Sequence, residues 1–362
     1  MNVLVRADAS LNIGSGHIAR CMALADVLRN SGAQVSFACR LLPGHLLSRL
    51  QAQGFTVYGF PERYADEQPG ADIEALLPWT ADIDAMAQVL APRQRFDWLI
   101  VDHYGLEAQW ETAARRFAQQ VMAIDDLANR PHAVDVLLDQ NFSGTSQAYA
   151  PWIGPDCRTL FGPHFALLRD EFQRDPVVIR PRVKRVIVNF GGFDAAGQCW
   201  IAMQALLAYP ELEVDFIAGI DNPDWFAMQA LIEGRSNWRL QTQVSDFSLL
   251  MSQADLFMGA GGGTTWERAA LGLPTLCVAV AANQKANAEQ LAEAGAHLYV
   301  GTREQATVPA LRQAVAQLLN NQNLRQRLAS ASRKLVDGKG ARRVADVLAA
   351  AVPGDLRVNS DD

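Results

Sequence analysis

The segment VLVRADASLNIGSGHIAR (residues 3–20) starts with a short apolar run, continues through a loop with two glycines and ends in a helical pattern. This order predicts a strand, a turn and the start of a helix. Gly14 and Gly16 let the main chain approach a ligand, and the free N–H groups of a helix start favour anionic oxygen. His17 falls in the first helical turn, where the helix dipole favours a neutral, proton-accepting imidazole. The segment therefore predicts an anion site with a base beside it.

A purely structural interpretation of the same segment is equally open at this point. Any tight turn from strand to helix uses glycine, so a single Gly-x-Gly is a weak signal. The third glycine of the dinucleotide-binding fingerprint is missing, because Arg20 and Cys21 stand where it would fall. A histidine at a helix start is commonly a solvated or capping residue. The rest of the chain has to decide between a structural turn and a ligand loop.

Length and composition predict a two-domain globular protein. The chain has 362 residues, of which 49% are hydrophobic and 20% charged. Its net charge of −7 argues against nucleic acid as a partner. The five cysteines are scattered without Cys-x-x-Cys spacing, which indicates neither a disulfide framework nor a zinc site. Without an apolar run of membrane-spanning length, we expect a cytoplasmic protein with no membrane insertion.

Strand and helix patterns alternate along the first half, which is typical of an α/β protein with a doubly wound parallel sheet. Polar residues follow several strand ends, and in such sheets the ligand crevice lies beyond those ends. A carboxylate pair, Asp82 and Asp84, lies inside a predicted helix and is interpreted as a solvated face instead of a metal site. The residues expected at the rim of the crevice are Arg6, Asp8, Asp102, His103, Tyr104, Asp125, Asp126 and Asn141.

A proline-rich and charged stretch divides the chain. We predict a first Rossmann-like domain over residues 1–168, a linker over 169–182, a second Rossmann-like domain over 183–338, and a C-terminal helix and tail over 339–362. The second domain begins with a further strand, loop and helix pattern, whose loop carries Gly191 and Gly192. The predicted fold is thus two tandem doubly wound domains that face a central cleft.

The segment GAGGGTTWERAALGLP (residues 259–274) places glycines, hydroxyls and a glutamate at a turn from strand to helix. Main-chain N–H groups with Thr264 and Thr265 are suited to hold a diphosphate without a metal, and Glu267 is suited to accept hydrogen bonds from two ribose hydroxyls. Asn283 and Gln284 follow the next strand and are expected to reach a bound sugar. The alternatives are a flexible turn, a helix-start acid and a helix cap.

These motifs resemble those of known sugar-nucleotide enzymes. The second half is similar to the nucleotide-binding half of the GT-B glycosyltransferase superfamily, including the peptidoglycan lipid-linked N-acetylglucosaminyltransferase. The resemblance is carried by Gly263-Thr264-Thr265-x-Glu267, Gly272-Leu273-Pro274, and Asn283-Gln284 with Asn287. The first half resembles the UDP-sugar hydrolases of pseudaminic acid biosynthesis, the PseG family. Its shared motifs are Arg6-x-Asp8, Ile13-Gly14-x-Gly16-His17-Ile18, Asp102-His103-Tyr104-Gly105, Asp125-Asp126 and Ala166-Leu167-Leu168-Arg169-x-Glu171-Phe172.

The PseG resemblance implies hydrolysis of UDP-2,4-diacetamido-2,4,6-trideoxy-beta-L-altropyranose to UDP and the free sugar. It implies that His17 is catalytic and activates a water that attacks the anomeric carbon with inversion, that Glu267 binds ribose, and that Asn283 lies beside the ligand. Phe193 departs from the family pattern, where a hydroxyl residue is commoner, and the helical tail past residue 301 is longer than in compact members and is suited to brace the first domain.

The predicted site needs neither a metal nor a cofactor, and the expected partner of this monomer is a small UDP-sugar. Two other functions stay open: a GT-B glycosyltransferase that uses a UDP-sugar, and a nucleotide-binding module without catalysis. Beside the catalytic His17, the predicted substrate-binding residues are Arg6, Asp8, Gly14, Gly16, Tyr104, Gly191, Gly192, Gly262, Gly263, Thr264, Thr265, Glu267, Asn283 and Gln284.

Overall fold

The computed structural model describes residues 1–61, 76–92, 94–191, 194, 197–242 and 244–351. Two parallel sheets form its framework, in the strand orders β3-β2-β1-β4-β5-β6-β7 and β10-β9-β8-β11-β12-β13. The first sheet consists of β1 (Asn2–Ala7), β2 (Gln34–Arg40), β3 (Thr56–Phe60), β4 (Phe96–Asp102), β5 (Ala118–Ile124), β6 (Val136–Asp139) and β7 (Arg158–Phe161). The second consists of β8 (Arg185–Asn189), β9 (Glu213–Ile217), β10 (Trp238–Gln241), β11 (Leu256–Ala260), β12 (Thr275–Ala279) and β13 (Leu298–Thr302).

Helices connect these strands and cover both faces of each sheet. Those that follow strands of the first sheet are α1 (Gly16–Asn30), α2 (Leu47–Ala52), α3 (Trp79–Val89), α4 (Ala108–Ala114) and α5 (Ser146–Tyr149). Those of the second half are α6 (Gln198–Leu206), α7 (Trp225–Ile232), α8 (Phe247–Ser252), α9 (Thr264–Leu271), α10 (Ala282–Glu293), α11 (Val308–Leu319), α12 (Gln322–Leu335) and α13 (Gly340–Ala351). The prediction of two Rossmann-like α/β domains is confirmed. In the described part of the chain no helix combines the length and apolar character needed to cross a membrane.

Burial explains why the central strands form where they do. Every residue of β11 and β12 is buried, as expected for parallel strands that carry helices on both faces. The strand β7 lies within the proline-rich and charged stretch, where the sequence analysis predicted no strand. It has four residues, pairs only with β6 within the described chain, and has little buried surface. A short edge strand among prolines carries almost no periodic signal.

The last helix packs on the first domain, although the sequence before it belongs to the second. Val344 and Leu348 of α13 are fully buried in the cluster that also contains residues of α1. The buried indole Nε1 of Trp98, on β4, donates to the carbonyl of Leu348 at 3.1 Å. Gly340 starts α13 against Ala166, and a Cβ at this position would lie 2.3 Å from the Ala166 carbonyl oxygen. Of the helical tail past residue 301, only α13 therefore braces the first domain, whereas α11 and α12 pack on the core of the second.

Truncation of Leu348 tests this packing. Leu348→Ala removes a fully buried side chain and is expected to lower the free energy of unfolding by about 2–5 kcal/mol, because the cavity cannot close completely. Asp346→Ala, on the exposed face of the same helix, should change it by less than about 1 kcal/mol. Urea unfolding followed by tryptophan fluorescence measures both, and equal stability of the two variants would contradict the packing described.

Candidate active site

The carboxyl ends of the two sheets face each other across a cleft. Tyr104 follows β4, and its hydroxyl accepts a hydrogen bond from Nδ2 of Asn283, in the first turn of α10, at 3.4 Å. Beside it, the buried Asn287 of α10 accepts a hydrogen bond from the main-chain N–H of Phe142 at 2.8 Å. These contacts bring the loops after β4 and β6 against the start of α10.

His17 is the second residue of α1 and is hydrogen-bonded to a carboxylate of the neighbouring strand. Its Nδ1 lies 2.5 Å from Oδ1 of Asp102, the last residue of β4. Since a carboxylate only accepts, Nδ1 carries the proton in the neutral ring and Nε2 has a free lone pair. Among the described residues, none is hydrogen-bonded to Nε2. The edge of the imidazole meets the ring of Tyr104, with 4.7 Å between centroids. His17 is thus held as an oriented base.

Asp102 is fully buried and stays ionised because of its neighbours. Burial alone would raise its pKa, but Arg20 and His17 outweigh burial and hold the pKa of Asp102 far below its usual value. Arg20 donates from Nε to Oδ2 and from Nη2 to Oδ1, both at 2.7 Å. Its Nη1 donates to Asp126 at 2.9 Å. One arginine therefore joins the carboxylates that end β4 and follow β5.

The loop that leads into α1 is shaped by Ser10 and Gly14. The hydroxyl of Ser10 accepts the N–H groups of Asn12 and Ile13, and its carbonyl accepts the N–H of Gly14 at 2.8 Å. Gly14 has a φ of +76°, in the left-handed region that favours glycine, whereas Gly16 does not. No side chain caps the start of α1, so its first N–H groups remain available to a ligand.

Arg6 and Asp8 do not lie at the rim as the sequence analysis expected. Both are buried, with the guanidinium of Arg6 paired to Asp8 at 2.7 Å and to Asp82 at 2.6 Å. Asp82 is accordingly not a solvated residue: it is buried in α3 and also accepts from the indole of Trp110 at 2.9 Å. The interpretation of Asp82 as part of a solvated face is wrong, because its carboxylate pairs with the buried Arg6. Substrate binding by Arg6 and Asp8 stays a prediction.

In the second domain, the glycine turn between β11 and α9 lies beside Gln284. Its Oε1 accepts from the N–H of Gly261 at 3.2 Å and from that of Val280 at 3.1 Å, so it shapes the turn. The turn continues through Gly262 and Gly263, which takes the N-cap position of α9. Thr264 is half-buried, whereas Thr265 is buried and its hydroxyl accepts from Arg268 at 3.0 Å. Thr264 is therefore the hydroxyl better placed for a ligand.

Glu267 lies in the first turn of α9 and meets an arginine that follows β7. Arg169 Nη2 is 3.6 Å from Oε1 of Glu267 and 2.9 Å from Oε1 of Glu171. Burial raises the pKa of Glu267 to about 7, although Arg169 lowers it. In the loop after β8, Gly191 has a φ of +108°, and Gly192 and Phe193 lie outside the described residues, so the expectations for those two stay predictions.

The chain is similar in sequence to sugar-nucleotide enzymes and in fold to glycosyltransferases. Residues 197–348 match the model of the Glycosyltransferase family 28 C-terminal domain. The chain is 26% identical to the UDP-2,4-diacetamido-2,4,6-trideoxy-beta-L-altropyranose hydrolase of Campylobacter jejuni over 82% of the chain and 97% of that protein. It is 28% identical to the spore coat polysaccharide biosynthesis protein SpsG of Bacillus subtilis, over 54% of the chain and 60% of that protein.

Among solved structures, MurG of Acinetobacter baumannii matches with a TM-score of 0.63 at 18% identity, over 96% of this chain and 99% of that one. This likeness shows the fold. Together with the sequence similarities, it supports the assignment of the chain as a PseG-like GT-B family member. Its two Rossmann-like domains have the arrangement of the GT-B fold.

The sequence analysis singled out neither Arg20 nor Arg169 as a site residue. Arg20 drew attention only because it replaced a glycine of the dinucleotide fingerprint. A usable signal was its spacing of three residues from His17, which places both side chains on one helix face opposite the acidic strand ends. In the part of the chain that the structure describes, no group of three or more His, Cys, Asp or Glu side chains is arranged to hold a metal ion.

A buried hydrogen-bonded acid pair lies next to the cleft. The hydroxyl of Tyr149 is 2.8 Å from Oδ2 of Asp125 and 3.0 Å from Oδ2 of Asp139. One hydroxyl proton cannot serve two carboxylates, so the second contact needs a proton on an acid. Burial and the nearby Asp126 raise the pKa of Asp139 to about 8, whereas His132 and Arg130 outweigh burial and lower that of Asp125. Asp139 is therefore the protonated member.

Replacement of Asp139 by its neutral analogue tests this assignment. Because the folded pKa of Asp139 is raised, its contribution to stability is present below about pH 4 and is lost as the pH rises to about 8. Asp139→Asn has no such titration. Its free energy of unfolding relative to wild type should therefore increase from about pH 4 to about pH 8, by at most about 1.4 kcal/mol per pH unit. Asp125→Asn should be destabilising. Urea unfolding at several pH values distinguishes them, and a pH-independent difference for Asp139→Asn would contradict the assignment.

Proposed function

We propose that the chain hydrolyses UDP-2,4-diacetamido-2,4,6-trideoxy-beta-L-altropyranose to UDP and the free sugar, as in pseudaminic acid biosynthesis. The observation that carries the proposal is the hydrogen bond from His17 to Asp102, which leaves Nε2 as a base at the start of α1. The similarity to the Campylobacter hydrolase over most of both chains supports the choice of substrate. The residues proposed to act in this reaction are His17, Asp102, Thr264, Glu267 and Asn283.

In the proposed reaction, Nε2 of His17 accepts a proton from water while the water oxygen attacks the anomeric carbon. The bond from that carbon to the diphosphate oxygen breaks, its electron pair leaves with UDP, and the sugar is released with inverted configuration. Asp102 stabilises the imidazolium that forms, which is the role of the carboxylate in a catalytic triad. General-base assistance of this kind contributes about 10²- to 10⁴-fold in rate. UDP is a good leaving group, so no paired-carboxylate arrangement is required.

The second domain is proposed to hold the leaving nucleotide. The first N–H groups of α9, with the hydroxyl of Thr264, offer donors to the diphosphate at the positive end of the helix dipole. Glu267 lies one turn further and is suited to accept from the ribose hydroxyls, with Arg169 beside it. Asn283, already in contact with Tyr104, lies between this turn and His17. The nucleotide and the base would thus occupy opposite sides of one cleft.

A transferase is the second candidate function. The chain is 26% identical, over 95% of its length, to a UDP-N-acetylglucosamine transferase of Acidithiobacillus ferrooxidans that acts on a lipid-linked acceptor. Leu11 and Leu41, on the loops after β1 and β2, are 53% and 46% exposed and would suit an apolar acceptor. In that case the base would deprotonate an acceptor hydroxyl in place of water. A binding module without catalysis would leave the oriented base without a role.

His17→Gln tests the catalytic role. We expect UDP release from the UDP-sugar to fall by about 10²-fold or more while UDP binding is retained, since the side chain belongs to the first domain. His164→Gln, at an exposed histidine of the same domain, is the matched control and should keep wild-type turnover. Steady-state UDP release and calorimetric UDP binding provide the readouts, and unchanged turnover in His17→Gln would rule out the role.

A panel of UDP-sugars in ¹⁸O-labelled water separates the candidate functions. Label in the released sugar supports attack at the anomeric carbon, whereas label in UDP would overturn the mechanism. Release of UDP only after an acceptor is added would favour the transferase. Binding without turnover under either condition would favour the binding module.

The raised pKa of Glu267 predicts pH-dependent nucleotide binding. Below about pH 7 the carboxyl is protonated and loses half of its capacity to accept from the ribose, so affinity for a UDP-sugar should rise between about pH 6 and pH 8. A UDP-sugar is the suitable probe because its diphosphate diester does not titrate in this range. Glu267→Gln should bind more weakly at pH 8 and show a flat profile. Titration calorimetry measures both, and an equal slope in the two proteins would assign the dependence to another group.

A further inference from the structure

Arg20 contacts both the proposed base and the carboxylate that orients it. Its Nε and Nη2 hold both oxygens of Asp102 at 2.7 Å, and its Nη1 holds Asp126 at 2.9 Å. Nη2 is also 3.4 Å from Nδ1 of His17. The side chain is 11% exposed, so little water screens these contacts. A planar, permanently charged guanidinium is the group that makes such a bidentate contact.

The first consequence concerns orientation. With both oxygens of Asp102 bound, the carboxylate has one orientation, and Oδ1 faces Nδ1 of His17. The imidazole then has one tautomer and one ring angle, with Nε2 as the acceptor. Sub-ångström misplacement of a catalytic group is costly in rate, which makes this constraint relevant to turnover.

The second consequence concerns charge. Among the residues that the structure describes, the charged or titratable groups around His17 are Asp102 from β4, Tyr104 from the following loop, Arg20 on the same helix, Cys21 through its contact with Asp102, and Asp126 through Arg20. Burial, together with the carboxylate of Asp126, raises the pKa of Tyr104 well above its usual value, so that ring stays neutral. Burial also raises the pKa of Cys21, which stays a thiol.

Two charges lie next to the imidazole of His17: the negative carboxylate of Asp102 and the positive guanidinium of Arg20. Asp102 favours the imidazolium, and Arg20 opposes it by its own charge and by sharing the charge of Asp102. Asp126 in turn neutralises part of Arg20. The two outer groups act on the imidazole with opposite signs.

We propose that Arg20 is a positioning residue that orients the imidazole of His17 and sets the pH below which this imidazole is protonated and no longer acts as a base. Asp126 opposes the electrostatic effect of Arg20. This inference rests on the proposed function. A purely structural role, in which Arg20 only ties α1 to the ends of β4 and β5, would not produce opposite shifts of the pH profile in the two variants.

The test measures kcat and KM for UDP release from the UDP-sugar between pH 5 and pH 9. In Arg20→Gln the acidic limb should move to higher pH by about one unit, and kcat on the plateau should fall about tenfold with little change in KM. In Asp126→Asn the limb should move to lower pH. Arg20→Lys should keep the position of the limb but lose plateau kcat, because an ammonium cannot make the bidentate contact. Arg29→Gln, at an exposed arginine of the same helix, should match wild type.

A loss of kcat with an unmoved limb in both Arg20→Gln and Asp126→Asn would overturn the proposal, as would shifts in the same direction. If Arg20→Gln does not fold, the comparison of Asp126→Asn and Arg20→Lys with wild type retains the predicted signs.

A second readout does not depend on activity. Histidine labelled with ¹³C in the ring reports the titration of His17 by NMR, with the resonance assigned by its absence in His17→Gln. The titration midpoint should rise in Arg20→Gln and fall in Asp126→Asn. If the protein hydrolyses no UDP-sugar, the proposed function fails while this measurement still decides the role of Arg20. Unmoved midpoints would contradict it whatever the activity.

Discussion

The buried carboxylate of Asp102 is the point on which the cleft of the first domain depends. It ends the central strand β4, and on three sides it meets groups of α1: an imidazole, a guanidinium and a thiol. A carboxylate removed from water in this way is tolerable only when it is paired and fully hydrogen-bonded. The same contacts that make its burial tolerable also orient His17. Folding and the proposed chemistry therefore draw on one set of hydrogen bonds.

A second buried ionic layer lies beneath the first and has a different character. The guanidinium groups of Arg6 and Arg40 are buried with the carboxylates of Asp8 and Asp82 and balance their charges. The contrast shows how two strand ends of similar composition come to differ. At β4 the contacts leave Nε2 of His17 without a hydrogen bond from the described residues, whereas at β1 the charged groups are enclosed in ion pairs. Polar residues at strand ends thus include both supports and site residues.

The sequence was sufficient for the fold class because apolar runs, glycine turns and helical spacing recur at regular intervals. The sequence also singled out His17, Tyr104 and Asn283, which the structure brings together, while their roles and that of Glu267 stay predictions. It failed for Arg6 and Asp82, because an ion pair 76 residues apart in sequence has no local signal. It failed for β7 because an edge strand of four residues has no periodicity. Arg20 escaped notice because its importance lies in its partners on two other strands.

The return of α13 to the first domain has a mechanical consequence. The polypeptide passes between the domains twice, once near Phe172 and once near Gly338, and a Cβ at Gly338 would lie 3.1 Å from the side chain of Gln173 and 3.3 Å from the carbonyl of Phe172. The two crossings are therefore in contact and form a two-stranded hinge. The two domains are therefore joined by two adjacent stretches of main chain, so that a substitution at Gly338 would disturb both connections at once.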